Sequence, residues 1–352
     1  MARPSRSAEI DAALLQAVVA HPRDLVGMVA AQLGLSGARV GMQVRQLVAD
    51  GYLRREGTTR PTYTLGRNRR FQQRYPRKGL AEDSIWFAQL SPLLRDLPPH
   101  VLDIAHHGVT EMINNAIDHS VARHIMVHMD LRDGRLSLMI ADDGVGIFRK
   151  IAQALELPDE RLALLELSKG KFTTDPRNHS GEGVFFTSRM FDSFQIASGG
   201  LAFSHDEQQD KDVLFDFDDV PREGTAVFMA IDETSTRTAK QVFDEYSSGP
   251  DDYTFAKTIV PVRLAQVGDE NLISRSQAKR LMLRVDRFRH VVLDFSGVHA
   301  VGQAFADEIF RVFALAHPEV ELVSVHAAPE VQQMIRRAEV ARDEDGGQLS
   351  LI

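Results

Sequence analysis

The chain of 352 residues contains no cysteine. Disulfide staples, thiolate zinc sites and a thiol nucleophile are therefore excluded, and the composition fits a reducing compartment. Long apolar runs are also missing: nothing approaches the roughly 20 residues that a membrane span needs. The opening MARPSRSAEIDAALLQAVVAHP does not read as a secretory leader, because Glu9 and Asp11 interrupt its apolar stretch. A cytoplasmic protein with no membrane contact is expected. Neither the P-loop nor the dinucleotide-binding glycine pattern occurs, and no internal repeat is visible.

What is present is enough apolar material, 43%, to bury the cores of about two or three domains. The net charge of −8 is unevenly spread. Residues 1–80 hold 14 Lys and Arg against 5 Asp and Glu, and the remainder holds 27 against 44. A basic head on an acidic body points to an anionic partner for the head, nucleic acid first; the plain alternative is a solvated basic linker.

The pattern divides into three. In residues 1–80, apolar spacing gives helices over 8–20, from Leu25, and over about 37–49 with Ser36 as cap. YLRREGTTRPTYTL then reads as two short strands around Gly57. Next comes GRNRRFQQRYPRK, expected to be a basic linker, either touching phosphates or serving as a tether. Residues 81–235 open with helical SIWFAQLSPLL and a long helix over about 98–119. A strand pair follows, turning at Asp133-Gly134, then a helix-prone stretch, a polar loop SKGKFTTDPRNHSGEG, a helix and further strands. Residues 252–352 alternate strands and helices, the mark of a small α/β domain, and end in a tail, DEDGGQLSLI, expected to be loose.

The segment TEMINNAIDHS concentrates the chemistry. At about 3.6 residues per turn, Glu111, Asn114, Asn115, Asp118 and His119 share one arc, opposite Met112, Ile113, Ala116 and Ile117. A solvated face is a poor account, since Asn weakens helix interiors and no Lys or Arg is present; a buried structural hydrogen-bond cluster remains possible. Glu111 and Asn115 lie one turn apart and point the same way. An amide oxygen can complete the shell of Mg²⁺ when phosphate oxygens supply the rest, and a carboxylate one turn earlier can deprotonate an attacking water or hydroxyl. Three weaker signals follow. In ADDGVGIF, Asp143 can accept from an exocyclic amine while Gly144 and Gly146 let a flat ring approach. In HSGEGVFFTSRM, Gly181 and Gly183 precede a helix whose N-terminus suits phosphate, with Lys169 and Lys171 in the same loop to neutralise it. In GTAVFMAI, Thr225 starts a late strand.

Together, in this order, the four resemble the GHKL ATPase superfamily over about 81–235. Glu111, Asn115, Ala116 and His119 match its N-box, Asp143, Gly144 and Gly146 its adenine-reading motif, Gly181 and Gly183 its glycine box, and Thr225 its late threonine. The resemblance implies an α/β sandwich with helices on one side of a mixed sheet, ATP over the open face, and a lid of roughly 150–180. Residues 1–65 resemble a winged helix-turn-helix domain, which implies DNA contacts through Arg39, Gln43, Arg45, Arg54, Arg55 and Arg60; such domains also serve as protein-contact modules. HVVLDFSGVHAVGQAFADEIF resembles the strand-loop-helix of STAS domains. There Val301, Gly302, Gln303 and Ala304 stand where related domains carry a phosphorylated hydroxyl, so self-phosphorylation at that loop is not expected, and Ser296 lies before it. That domain is expected to act as a built-in partner that senses the nucleotide state, or to contact a separate protein partner; the plain alternative is a dimerisation or packing module. His106 and His107 are expected to be core or helix-face residues rather than metal ligands.

The expected function is an ATP-binding regulatory protein, a Mg²⁺-dependent ATPase switch with Glu111 as base and Asn115 as metal ligand. The alternatives are a protein Ser/Thr kinase with an external target and a non-hydrolysing nucleotide-dependent regulator. Related ATPases often pair, so a homodimer is a further expectation.

Overall fold

The computed structural model describes residues 6–172, 181–206, 211–216, 223–249, 252–266 and 271–349. Three helices open the chain: α1 (Arg6–Ala17), α2 (Leu25–Leu33) and α3 (Gly37–Ala49). Gly34 ends α2 in the left-handed conformation, and the Ser36 hydroxyl accepts from Arg39 N to start α3. Ile10, Leu14, Leu25, Val29, Val40, Val44 and Leu47 form their shared core. Strands β1 (Leu53–Glu56) and β2 (Thr62–Leu65) pair antiparallel as a hairpin.

The basic run after this hairpin is not a tether. Residues Arg69–Pro76 form β3, paired antiparallel along its whole length with β4 (His124–Arg132). The alternation that looked like a solvated basic stretch buries Phe71, and Tyr75 packs partly against the core. Residues 82–94 are helical, with a π-turn over Trp86–Leu90. Helix α4 (Pro99–His119) follows, and Val101, Ile104, Ala105, Val109, Met112 and Ile113 form its inner face. His106 and His107 belong to this packing: His106 stacks on Trp86 at 4.8 Å, and burial lowers the His107 imidazole to about 4.

Strand β4 turns into β5 (Arg135–Asp142) through Asp133 and Gly134, both at positive φ, the type of turn that suits a two-residue hairpin. Next come α5 (Ile147–Ala154), α6 (Leu162–Lys169) and α7 (Gly183–Met190), then β6 (Ser193–Ser198), β7 (Leu201–Asp206), β8 (Lys211–Asp216) and β9 (Thr225–Asp232). The seven-stranded sheet runs β3-β4-β5-β9-β6-β7-β8. Helix α6 falls inside the expected lid, yet every one of its residues is buried. An apolar helix of this kind cannot hang in solvent, so this part of the expected lid is packed; residues 173–180 lie outside the described residues.

Helix α8 (Ala239–Tyr246) and a short hairpin, β10 (Ser247–Gly249) with β11 (Asp252–Phe255), lead to the last unit. There β12 (Lys257–Pro261), β13 (His290–Asp294) and β14 (Glu321–Val325) form a parallel three-stranded sheet. It carries α9 (Arg275–Leu281), α10 (Gln303–Asp307), which continues through a π-turn over Glu308–Phe313, and α11 (Pro329–Leu349). The tail expected to be loose is helical to Leu349, and residues 350–352 lie outside the described residues. No helix among the described residues is long and apolar enough to cross a membrane.

Candidate nucleotide site

A cavity of about 280 Å³ lies between α4 and the sheet. Glu111, Asn115 and His119 line it from α4, Gly146 and Lys150 from the start of α5, Gly181 and Gly183 from the approach to α7, and Thr225 from β9. Three residues of the polar arc of α4, Glu111, Asn115 and His119, thus face a hollow, whereas Asn114 and Asp118 are not part of its lining. The hollow is on the helix-covered side of the sheet: Ile140, Ile196 and Val227 form its apolar lining. The expectation placed the ligand over the open face, whereas this cavity lies on the other side of the sheet. The helices bury the apolar alternate residues of each strand, and the gap left at their edge is a recess with polar residues in its lining.

The acidic residue on the cavity wall is Asp142, not Asp143. Along β5, Leu136, Leu138, Ile140 and Asp142 fall on the inner face by strand alternation. Asp142 accepts from Gly144 N at 2.8 Å. Burial pushes its carboxyl up to about 6, against the pull of the Gly144 and Thr225 backbone N–H groups. Asp143 points the other way. Its carboxylate accepts from Arg123 N at 2.7 Å and His124 N at 2.8 Å, and it pairs with Arg74 at 3.2 Å. Burial would raise its pKa, but the His124 and Arg123 hydrogen bonds outweigh that and hold it down at about 2. Counting back from Gly146 and Gly144 as the second and first glycines of D-x-G-x-G gives Asp142, so the signal was present in the sequence and one residue out of register in the reading.

The glycines differ in what they do. Gly144 does not line the cavity; it runs against the Ser120 carbonyl with no room for a side chain, while Val145 N donates to Ser120 O at 2.9 Å. Gly146 sits at φ +86°, where a side chain would be strained. The Thr225 hydroxyl accepts from Ile147 N at 3.0 Å, pinning the first turn of α5 beside the wall. A Cβ on Gly183 would overlap the Glu111 carboxylate, so Glu111 rests against the N-terminus of α7, the end that favours negative charge.

Two predicted cations are elsewhere. The Lys169 ammonium is fully buried, 2.6 Å from Glu166 and 2.9 Å from the Leu283 carbonyl; burial pulls it below the usual lysine range against the opposing pull of Glu166. Lys171 donates to the Arg287 carbonyl at 3.0 Å and lies over the Phe288 ring. Gly170 and Lys171 both sit at positive φ, between the cavity-lining residues Leu167 and Phe172. The cation that does line it is Lys150, which donates to the His119 carbonyl at 2.7 Å. Burial lowers its pKa and Asp118 opposes. Its place, one turn after Gly146, is a spacing signal that the sequence reading passed over.

The site has features that fit a nucleotide and its cation. Asn115 Nδ2 is buried with no hydrogen-bond partner, and since amide N and O exchange by a flip, either end can meet a ligand. No cluster of three or more His, Asp or Glu able to hold a metal occurs among the described residues, so a Mg²⁺ held by Asn115 would depend on phosphate oxygens for most of its shell.

In the first unit, Arg39, Arg45, Arg54, Arg55 and Arg60 are exposed. Gln43 is half-buried, unlike the five arginines. Ser296 donates its hydroxyl to Asp294 at 2.8 Å.

Residues 69–202 match the family model of the histidine kinase-like ATPase domain, and residues 277–332 match that of a STAS-like domain of unknown function. No curated protein matches the chain. Among solved structures, the IcIR transcriptional regulator from Alicyclobacillus acidocaldarius is similar at 16% identity over 68% of this chain and 92% of that one; its TM-score of 0.18 is too low to carry an argument. The chain carries a histidine kinase-like ATPase domain of the GHKL type at residues 69–202, which implies nucleotide binding, and a STAS-like domain at residues 277–332.

Proposed function

We propose that this protein is a Mg²⁺-ATP-dependent regulatory switch whose nucleotide lies in the α4 cavity. One observation carries the reading: Asn115, with a buried unpartnered amide, shares one cavity with Glu111, His119, Asp142, Gly146, Lys150, Gly181, Gly183 and Thr225. Asp142 would accept from the adenine amine, and Gly146 and Thr225 would shape the wall beside the ring. Lys150 would supply a positive charge, and Gly181 and Gly183 would let the phosphates approach the N-terminus of α7. Asn115 would hold Mg²⁺, which when bound neutralises phosphate charge. Glu111 would orient an attacking water and take its proton. The domains in this reading are those expected from the sequence, with β3 assigned to the nucleotide-binding unit.

The head would contact DNA as a winged helix, through Arg39 and Arg45 on α3 and Arg54, Arg55 and Arg60 on the hairpin. Their common exposure supports this, and Gln43 is set aside because it is half-buried. The STAS-like domain would respond to the nucleotide state. The experiment is incubation with γ-labelled ATP and Mg²⁺ beside Asp142→Asn and Glu111→Ala. Free phosphate supports the switch. Label on an added protein would make it a kinase, with Glu111 deprotonating a hydroxyl instead. Binding without turnover would leave a nucleotide-dependent regulator, and no binding would refute the reading of the cavity.

A further inference from the structure

The two cations that miss the cavity join its wall to the STAS-like domain. The segment 166–172 runs from α6 to the cavity, which Leu167 and Phe172 line. Phe172 N donates to the Gly181 carbonyl at 3.1 Å, so the segment is tied to the approach to α7. Its other side is held by the C-terminal unit. The Arg284 guanidinium donates to Glu166 at 2.9 Å, donates to the Lys171 carbonyl, and lies 5.1 Å over the Phe172 ring. Lys169, itself paired with Glu166, donates to the Leu283 carbonyl. The Thr258 hydroxyl of β12 donates to the Lys169 carbonyl at 2.8 Å. Phe255 fills the space where a side chain at Gly170 would stand.

This is costly chemistry for mere packing. Three charged side chains leave water together, and such groups are tolerated only when each finds partners. Here the partners come from both domains. Lys171 and Arg284 each adopt a positive φ, a conformation that non-glycine residues hold only when their surroundings impose it. The wall is therefore shaped by contacts that exist only while the STAS-like domain is docked.

We propose that the STAS-like domain is a clasp on the nucleotide cavity: through Arg284 and Thr258 it fixes the wall bearing Leu167 and Phe172, so that docking of that domain and nucleotide exchange are coupled. The proposal rests on the reading of the cavity as a nucleotide site. By reciprocity, nucleotide that favours the docked wall tightens the domain contact, and loosening the contact weakens nucleotide affinity by the same factor; with association unchanged, that loss is read as faster release.

The test measures release of a fluorescent ATP analogue from the full-length protein by stopped flow, with hydrogen exchange of residues 162–172 followed in parallel. Wild type, Arg284→Ala, Thr258→Val and the control Arg275→Ala, an exposed residue of the same domain that does not touch the wall, are compared. The clasp predicts release about tenfold faster in Arg284→Ala, within the usual span of coupling between sites. It predicts a smaller increase in Thr258→Val, no change in Arg275→Ala, and faster exchange in 162–172 for the first two. Should Arg284→Ala fail to fold, Thr258→Val decides. Nucleotide bound by wild type but released at equal rates from the folded variants would overturn the clasp alone. Absence of binding in wild type would overturn the nucleotide reading and the coupling with it, whereas the exchange data would still report the domain contact.

Discussion

Replacing Asp142 by Asn should weaken nucleotide binding far more than replacing Asp143 by Asn, and should remove its pH dependence below neutrality. Asp142 sits on the cavity wall with its carboxyl raised to about 6 by burial. An adenine amine donating to it favours the charged form, so binding releases a proton wherever the empty site is protonated. Affinity should therefore fall as pH drops through 6, by about tenfold between pH 8 and pH 5. Loss of the charged acceptor at all pH should cost about 1.5–3 kcal/mol, or roughly 10- to 150-fold in Kd. Stability of the empty protein carries the opposite sign. A carboxyl whose folded pKa is raised from 3.8 to about 6 favours folding below pH 4. That contribution, about 3 kcal/mol, is lost as pH rises through 6. The assay is titration calorimetry with ATP from pH 5 to 8. Asp142→Asn supplies the baseline in which the titration of ATP itself is unchanged. Equal pH profiles for wild type and Asp142→Asn, or a loss of binding in Asp143→Asn with Asp142→Asn unaffected, would refute the assignment.

Glu111→Ala should keep nucleotide affinity within a few-fold but lower phosphate release by about 10²–10⁴, read from γ-labelled ATP turnover. Glu166→Ala leaves Lys169 and Arg284 buried without their shared carboxylate; it should cost about 3–5 kcal/mol, seen as a lower midpoint in denaturant unfolding. Removing Arg39 and Arg45 together should weaken duplex binding uniformly across sequences and reduce the slope of log K against log salt by about 2, measured by fluorescence anisotropy.

Much of the architecture was legible because periodicity reports burial. The spacing over 98–119 gave α4 and its two faces, and Asp133-Gly134 gave the β4–β5 turn. The polar arc was legible too, because Glu111, Asn115 and His119 sit within one helix and need no tertiary knowledge to be grouped. What failed depended on distant partners. The run 66–78 looked like a tether because its Arg residues find Asp130 and Asp143 only through the sheet. Lys169 and Lys171 looked like phosphate ligands because sequence proximity to glycines cannot show that a domain more than 80 residues later claims their ammonium groups. The Asp142 error was of another kind, since strand alternation and motif spacing both pointed to it.

One consequence follows from β3. The chain leaves the head and enters the large sheet almost at once, and the junction is buttressed: the Tyr52 hydroxyl donates to Asp130 at 2.7 Å, and Arg70 bridges Asp130 and Asp11. The far end of the same strand reaches Asp143, and Arg77 just beyond it donates to the Ile117 carbonyl near the end of α4. The head is accordingly not a weight on a string but one arm of a stiff lever whose pivot is the sheet edge. Were the head to dock on DNA as proposed, two copies on neighbouring half-sites would hold their nucleotide-binding units at a set distance and angle, making the spacing of the DNA a ruler for the protein.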